Sequence, residues 1–276
     1  CYLSSASSAR SGRKEAAVGN KIRNAYLGLM LLFLYLPIAV LIVFSFNDTK
    51  LRGVWAGFTT HWYTDLFSDP IILKSFYTTV LVAVVATVIS TVVGTLSAIG
   101  IRAFSKRSQA VILNINYLPV LNPDIVTAVA LMSLFGFLAM EQGLLTMILS
   151  HIVFCLPYVI LSVLPKLDQL DNNIVEAAYD LGAKTPEVLR YVIVPQIKPG
   201  IATGALMAFT LSIDDFIISF FTTGQGVSNL SITLYSMAKT GINPSMNALS
   251  TLLFVAVLAL LLLLNKRDID LVDFEV

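Results

Sequence analysis

Six long runs of apolar residues constrain this chain more than any other feature. They lie approximately at residues 25–46, 76–101, 111–138, 144–164, 201–221 and 248–264. A hydrocarbon core about 30 Å thick needs around 20 apolar residues per helix, with a range of about 17–25. Of all residues, 57% are hydrophobic and 13% are charged, against roughly 45–50% and 25% in soluble domains. The sequence therefore predicts an all-α integral membrane protein with six transmembrane helices.

Basic residues predict the orientation, because Lys and Arg are retained on the cytoplasmic side. The segments 1–24, 102–110, 165–200 and 266–276 carry five, three, four and two of them, whereas the alternate loops carry three, none and one. We expect a flexible cytoplasmic tail over residues 1–24, a six-span domain over 25–265 and a cytoplasmic tail over 266–276. Since topology accounts for the basic residues, we expect membrane lipid around the chain and no nucleic-acid partner.

Several classes of catalytic site have no counterpart in the sequence. The patterns GxxxxGK[ST], HExxH and GxSxG do not occur, and they mark phosphate-binding loops, zinc peptidases and hydrolase nucleophiles. The two cysteines, Cys1 and Cys155, lie in the tail and in the fourth run, which supports neither a disulfide framework nor a metal site. We expect no catalytic residue, metal or cofactor in this chain.

Acidic residues interrupt two of the apolar runs. "NPD" at residues 122–124 breaks the third run, and Asp214 and Asp215 break the fifth. An acid at mid-bilayer costs about 2.5–3.5 kcal/mol, so these side chains are expected in a protein-lined or watery environment. No Lys or Arg inside a run pairs with them, which suits a cationic substrate. The alternative is that they bond to backbone or to a sister subunit and serve assembly.

The proline before Asp124 predicts an opened backbone, because proline lacks an N–H and disfavours a helical preceding residue. Broken membrane helices often mark binding sites. The alternative is a kinked helix in which Asp124 caps the restarted turn. Aromatic residues near these acids are candidates for cation–π contacts, although packing is the commoner use of such side chains. They are Tyr117, Phe216 and Phe220.

On a continuous helix, Asp214 and Asp215 point about 100° apart and cannot both face one cavity. Asp215 shares its helix face with Ser212, Ser219 and Thr222, whereas the face of Asp214 is apolar. The polar face predicts that Asp215 lines the substrate path and that Asp214 is structural.

The cytoplasmic segment "VEAAYDLGAKTPEVLRYVIVP", residues 175–195, predicts two short helices. In the first helix Asn173 is the expected cap and Glu176 the third residue, a capping-box arrangement, and Gly182 supplies a left-handed stop. Apolar residues repeat there at i, i+3, i+4 and i+7, and such a stripe must pack on something. The stripe consists of Ile174, Ala177, Ala178 and Leu181.

The second helix is expected to begin with Thr185 as its cap and Pro186 at its first position. Pro195 and Pro199 are expected to end the unit. The alternative is an ordinary connection, but the loop 165–200 is far longer than connections usually are. Its length and its two helices predict a docking segment.

These residues resemble the EAA loop of type I ABC importer permeases, EAA-x3-G-x9-I-x-L-P. Glu176-Ala177-Ala178, Gly182 and Pro195 match the pattern, while Val192 and Val194 replace the Ile and Leu. The resemblance implies a six-span permease fold whose loop is the coupling helix for a cytoplasmic ABC ATPase dimer, which uses ATP-Mg. It also implies a second homologous permease and an extracytoplasmic solute-binding protein in a bacterial inner membrane. The implied coupling residues are Glu176, Ala177, Ala178, Gly182, Ala183, Thr185 and Pro186.

Within that family, "LPVLNPDIVTAVALMSLF" and "TLSIDDFIISFFTTG" are similar to the spermidine/putrescine permeases of the PotC type. This likeness implies polyamine import. Family members for ferric iron, phosphonates or other small solutes share much of the layout. A self-sufficient secondary transporter is a different-class alternative, which would be expected to show internal repeats, and a membrane scaffold without transport is a third.

Overall fold

The computed structural model describes the backbone of residues 2–49, 54–241 and 244–272 and, within these, most side chains between residues 23 and 259. The described elements are helices joined by turns, with a single isolated bridge between Asn47 and Phe58. In chain order the helices are α1 (Tyr2–Phe44), α2 (His61–Ser68), α3 (Pro70–Arg102), α4 (Lys106–Leu121), α5 (Asp124–Phe137), α6 (Leu144–Asp168), α7 (Asn172–Asp180), α8 (Thr185–Val188), a π-helical turn (Leu189–Ile193), α9 (Val194–Ile213), α10 (Ile217–Thr222), α11 (Leu230–Thr240) and α12 (Pro244–Val272). The all-α prediction is confirmed.

The apolar helices follow the order of the six predicted runs. Among the described residues, four helical segments are long and apolar enough to cross a membrane: Arg23–Phe44, α3, α6 and Thr185–Ile213. The pair α4 and α5, bent by 104°, passes the same test when it is taken as one span. The described part of α12, Pro244–Ala259, is a shorter apolar helix. The structure is thus consistent with six spans.

The two predicted tails stay predictions. Helix α1 begins at Tyr2, and the part of it whose side chains are described, Arg23–Phe44, is apolar enough to cross a membrane. The side chains of the tail 266–276 lie outside the described residues.

Residues 1–66 and 240–276 form one compact unit, which contains α1, α12 and the connection after α1. Asn47 organises that connection: its Nδ2 donates to the carbonyl of Val54 at 2.7 Å, and its Oδ1 accepts from the N–H of Ala56 at 2.9 Å. The indole N–H of Trp62 donates to the backbone carbonyl of Asn47 at 2.8 Å. Asn47 and Trp62 are both buried, so these hydrogen bonds satisfy polar groups that would otherwise cost free energy.

Residues 67–239 form the second compact unit, whose core is made by α3, α6 and α9. Two glycines let α3 and α9 approach α6 closely. A Cβ on Gly94 would lie 2.7 Å from Val159 Cγ1, and a Cβ on Gly204 would lie 3.2 Å from Val159 Cα. Small residues at membrane-helix interfaces allow such close backbone packing. Buried core residues around this contact include Ala98, Phe154, Cys155, Val163, Ile197 and Ala208.

The helix that corresponds to the fifth predicted run, residues 201–221, starts and ends earlier in the structure. The helix already runs from Thr185 to Ile213, and Pro195 and Pro199 lie within it, so the expectation that these prolines end the unit is wrong. The turn before Pro195 is π-helical, and the N–H of Val194 donates to the carbonyl of Leu189. Pro195 has no N–H to donate to the helix. The π-helical turn before it is the kind of single-turn irregularity that occurs inside α-helices.

Candidate functional site

Three residues interrupt the helix between α9 and α10. α9 ends at Ile213, and Asp214, Asp215 and Phe216 lead to the start of α10 at Ile217. A face assignment that uses 100° per residue holds only along a continuous helix, so it does not extend across this break. Each side chain here is placed by its own contacts.

Asp215 supports the first turn of α10. Its Oδ1 accepts a hydrogen bond from the N–H of Ile218 at 3.2 Å, and its Oδ2 accepts from the N–H of Ser219 at 2.8 Å. First-turn amides have no partner inside their own helix, and a carboxylate is favourable at that end of the helix dipole. The Asp215 side chain is only 6% exposed. This carboxylate therefore stabilises the restart of the helix.

A buried histidine on α6 completes the cluster around Asp215. His151 Nδ1 lies 2.6 Å from Ser212 Oγ, and His151 Nε2 lies 2.9 Å from Ser219 Oγ and 3.5 Å from Asp215 Oδ2. The histidine side chain is 1% exposed. Both ring nitrogens have partners, as a buried polar group requires. His151 thus ties α6 to both sides of the helix break.

The sequence prediction missed His151, although a signal for it exists. It stands in "TMILSHIVF", an apolar stretch of the fourth run. An ionisable residue inside a membrane span is by default a candidate for function.

Asn229 joins the cluster from the loop after α10. Its Nδ2 donates to the carbonyl of Asp215 at 3.1 Å and to Ser219 Oγ at 2.8 Å. Its Oδ1 accepts from the N–H of Ile232 at 2.9 Å, in the first turn of α11. Asn229 is buried. One amide therefore holds the break and the start of α11 together.

Asp214 has a different environment from its neighbour. The residue is exposed, and its backbone carbonyl accepts a hydrogen bond from Ser231 Oγ at 3.3 Å. The structure brings Asp215 together with Ser212 and Ser219, but in the packed interior. Of the two adjacent acids, Asp214 is the accessible one.

Two predicted aromatic residues form a cluster beside this break, with Tyr235 of α11 as a third member that the sequence prediction missed. The ring centroids of Phe216 and Phe220 are 5.3 Å apart, and Tyr235 lies 4.8 Å from Phe216 and 6.0 Å from Phe220. Phe220 and Tyr235 are exposed. The Nζ of Lys239 lies 5.3 Å from the Tyr235 ring centroid. The ring face of Tyr235 is thus already in contact with an ammonium group.

The third predicted run is broken where its sequence predicts. α4 ends at Leu121, Asn122 and Pro123 have extended backbone, and α5 begins at Asp124 after a bend of 104°. Pro123 occupies the cap position and Asp124 is the first residue of α5, so Asp124 as the cap of the restarted turn is not what the structure has. Asp124 is exposed, as is Tyr117 on α4.

The cytoplasmic segment contains the first predicted short helix, α7, which begins two residues earlier than expected. The second, α8, is instead the first turn of the long helix Thr185–Ile213. Asp171, not Asn173, is the cap: its Oδ1 accepts from the N–H of Asn173 at 2.9 Å. Glu176 is consequently the fifth residue of α7 and forms no capping box. Gly182 has φ +84°, the left-handed backbone that glycine adopts without strain. The predicted glycine stop is confirmed.

The helix that starts with α8 also begins one residue earlier than predicted. Lys184 occupies the cap position, Thr185 the first and Pro186 the second position of α8. The Oε2 of Glu187 accepts from the N–H of Lys184 at 2.8 Å, so the third-position acid closes a hydrogen bond back to the cap. Ala183 connects the two helices, and its N–H donates to the carbonyl of Ala178 at 3.1 Å.

The apolar stripe on α7 is largely uncovered in this chain. Leu181 is 89% exposed, and Ile174 and Ala177 are also exposed, whereas Ala178 is half-buried. Tyr191, ten residues after Leu181 in the π-helical turn, is also exposed, at 68%. Uncovered apolar groups of this kind mark interaction surfaces when they are contiguous.

Comparison with known proteins assigns the chain to a family. Residues 90–266 match the family described as "Binding-protein-dependent transport system inner membrane component". The match covers more than half of the chain and includes the bend, the helix break and the cytoplasmic segment. The chain belongs to this family. It is a multi-pass inner membrane component of a transport system.

Two relatives of this inner membrane component are permeases with names that state their cargo. The permease protein PotC of the spermidine/putrescine transport system of Haemophilus influenzae is 35% identical over 242 residues, which is 88% of this chain and 94% of the relative. The permease protein PotI of the putrescine transport system of Escherichia coli K12 is 37% identical over 232 residues, which is 82% of this chain and 83% of the relative.

A solved structure shares the fold of this inner membrane component. A chain of a bacterial ABC transporter involved in the import of the acidic polysaccharide alginate superposes with a TM-score of 0.70 at 15% identity, over 87% of this chain and 91% of that chain. At such low identity the likeness concerns the fold alone. Together with the family match, it confirms the type I ABC importer permease fold that the EAA-like loop implies.

Proposed function

We propose that this chain is the transmembrane permease subunit of an ATP-driven importer for polyamines such as spermidine and putrescine. The observation that carries the proposal is the 35–37% identity, over most of the chain, to permeases named for these two substrates. Exposed acidic and aromatic side chains beside a helix break support it, because they suit a flexible chain of methylene groups with ammonium ends.

Asp214 is the group that we place on the substrate path. Its exposed position supports this role, whereas the carboxylate of Asp215 already serves α10 and His151. The sequence alone predicts the reverse choice. An ammonium about 4 Å from a carboxylate gains up to about 4 kcal/mol at an effective dielectric near 20, before desolvation is subtracted. Phe216, two residues along the chain, belongs with Phe220 and Tyr235 to the aromatic cluster beside this break.

The test of this path is Asp214→Asn in the assembled transporter. We expect labelled spermidine uptake to fall at least tenfold, or about 1.4 kcal/mol, while the other subunits still copurify. Glu141→Gln removes a charge from an exposed acid in another loop and is the matched control. Normal uptake by Asp214→Asn would remove Asp214 from the path.

The exposed stripe of α7 supports a docking role for the cytoplasmic segment. We propose that a cytoplasmic ABC ATPase covers Ile174, Ala177 and Leu181, and that ATP-Mg is bound and hydrolysed by that partner. A second homologous permease and an extracytoplasmic solute-binding protein complete the proposed assembly. Leu181→Asp, which places a charge on the stripe, should abolish copurification of the ATPase. Asp180→Asn, an exposed change beside it, should not.

A further inference from the structure

Arg102, the last residue of α3, contacts the junction between α6 and α7. Its Nη1 donates a hydrogen bond to the carbonyl of Leu167. Its Nη2 donates to the carbonyl of Leu170 at 3.3 Å and to Oδ1 of Asn172 at 2.9 Å. Asn172 is the first residue of α7. One side chain of α3 therefore binds the end of α6, the connecting turn and the start of α7.

A guanidinium is well suited to this position. The last carbonyls of a helix have no partner inside the helix, and Leu167 lies in the last turn of α6. A cation is also favourable at the negative end of the helix dipole. The planar fork of arginine presents several donors in fixed directions, so it can hold three acceptors from two elements at once.

The backbone around Arg102 is itself held in place. The Nε2 of Gln109 donates to the carbonyl of Arg102 at 3.0 Å and to the carbonyl of Phe104 at 2.9 Å. Farther along α3, Gly94 packs directly against Val159 of α6. The base of the arginine is therefore fixed to the same helix pair whose end its side chain binds.

Topology alone does not require these contacts. Retention of a loop in the cytoplasm depends on positive charge near a span, and Lys106 and Arg107 supply that charge from exposed positions in the same region. Arg102 differs because its guanidinium is partly buried and bonded to two backbone carbonyls and a side chain. Arg102 therefore makes a specific contact that retention of the loop in the cytoplasm does not explain.

We propose that Arg102 is a positioning residue for energy coupling: it transmits displacement of α7 to the helix pair α3 and α6. The inference rests on the proposed function, in which α7 docks on the ATPase. With Arg102 bonded to Asn172, movement of α7 pulls on the ends of α3 and α6. Without the bond, the short connection between α6 and α7 absorbs the movement, and hydrolysis proceeds with less transport.

The test compares Arg102→Met, Asn172→Ala and the matched control Arg107→Met in the complete transporter in lipid vesicles. Spermidine taken up per ATP hydrolysed is the readout, because a merely structural role would change yield and leave this ratio unaltered. We expect the ratio to fall at least threefold in Arg102→Met and in Asn172→Ala, and to stay unchanged in Arg107→Met. The double variant should be no worse than Arg102→Met alone, since both changes remove the same contact.

A wild-type ratio in Asn172→Ala overturns the inference, whether or not Arg102→Met assembles, because this change leaves the contacts with α6 intact. Amide hydrogen exchange of residues 174–181 in the same complexes gives a second readout. We expect at least threefold faster exchange in Arg102→Met and Asn172→Ala than in Arg107→Met, and equal exchange in all three also overturns the inference. If the unmodified complex shows no ATP-driven spermidine uptake, the proposed function fails, and the exchange data still decide whether Arg102 holds α7.

Discussion

At the scale of single residues, hydrogen bonds distinguish two acids that are adjacent in the sequence. Asp215 is bonded to backbone amides of α10 and lies beside the buried His151, whereas Asp214 is exposed. Sequence reasoning identifies both acids as unusual for a membrane span. It assigns their roles from the helix face alone, which does not include a partner of Asp215 that lies 64 positions earlier in the chain, His151.

We predict that His151→Ala destabilises the protein. The change removes the histidine partner of the buried Ser212 hydroxyl, whereas Ser219 Oγ keeps its hydrogen bond from Asn229, and an unsatisfied buried group costs about 1–3 kcal/mol. Thermal unfolding in detergent measures the loss. His61→Ala is the control, since His61 is exposed and its ion pair with Asp65 lies at the surface, where such pairs contribute about 0–1 kcal/mol. Equal losses in both variants would contradict the role given to His151.

Asp215→Asn should lower the yield of folded protein more than Asp214→Asn does. The amide that replaces the carboxylate loses its negative charge and presents an N–H group to the amides of Ile218 or Ser219. The fraction of monodisperse protein in size-exclusion chromatography is the measurement. A normal yield for Asp215→Asn, together with loss of folded protein in Asp214→Asn, would restore the assignment predicted from the sequence.

At the scale of elements, the sequence predicts the helices better than their ends. The bend at Pro123 and the stop at Gly182 follow from the special backbone of proline and glycine, so both are predicted correctly. The cap of α7 is misplaced because "DNN" at residues 171–173 offers three consecutive side chains that can cap. Asp214 and Asp215 interrupt the apolar run, but the break of the helix itself after Ile213 is not predicted, because the apolar pattern continues on both sides of it.

Close packing of α3 on α6 predicts opposite effects for two glycines of α3. A methyl group on Gly94 would lie 2.7 Å from Val159, whereas one on Gly100 has nothing within 4 Å. We expect Gly94→Ala to lower the unfolding temperature and Gly100→Ala to raise it slightly, since alanine favours a helix over glycine by about 1 kcal/mol. A stable Gly94→Ala variant would show that the α3–α6 contact is looser than the structure has it.

Replacing the glycine that ends α7 is expected to weaken binding of the ATPase selectively. Gly182→Val forces valine to φ +84°, a strained backbone that costs of order 1–3 kcal/mol, and should weaken binding of the ATPase at least tenfold. Gly226→Val imposes a similar strain at φ +81° in the loop after α10. Copurification of the ATPase compares the two variants. Equal ATPase binding in both would mean that the shape of the α7 end does not matter for docking.

At the scale of the whole molecule, the distribution of charge predicts the orientation in the membrane. Of the 18 Lys and Arg residues, 14 flank the proposed cytoplasmic face. In a chain with Cys1 and Cys155 replaced by serine, Thr185→Cys should react with a membrane-impermeant maleimide only from the cytoplasmic side. Gln225→Cys should react only from the outside, and both positions are exposed. Labelling of Thr185→Cys from the outside would show that the chain has the opposite orientation in the membrane.

The central claim concerns the energy source and the cargo, and one measurement tests both together. The complete transporter is reconstituted in vesicles with ATP-Mg inside and the solute-binding protein outside, and uptake of labelled spermidine is followed with and without ion gradients. We predict uptake that requires internal ATP, persists when ionophores collapse all gradients, and is competed by putrescine but not by ferric iron or phosphonate. Uptake driven by an ion gradient without ATP, or ATP hydrolysis that moves another solute and no polyamine, would contradict the account.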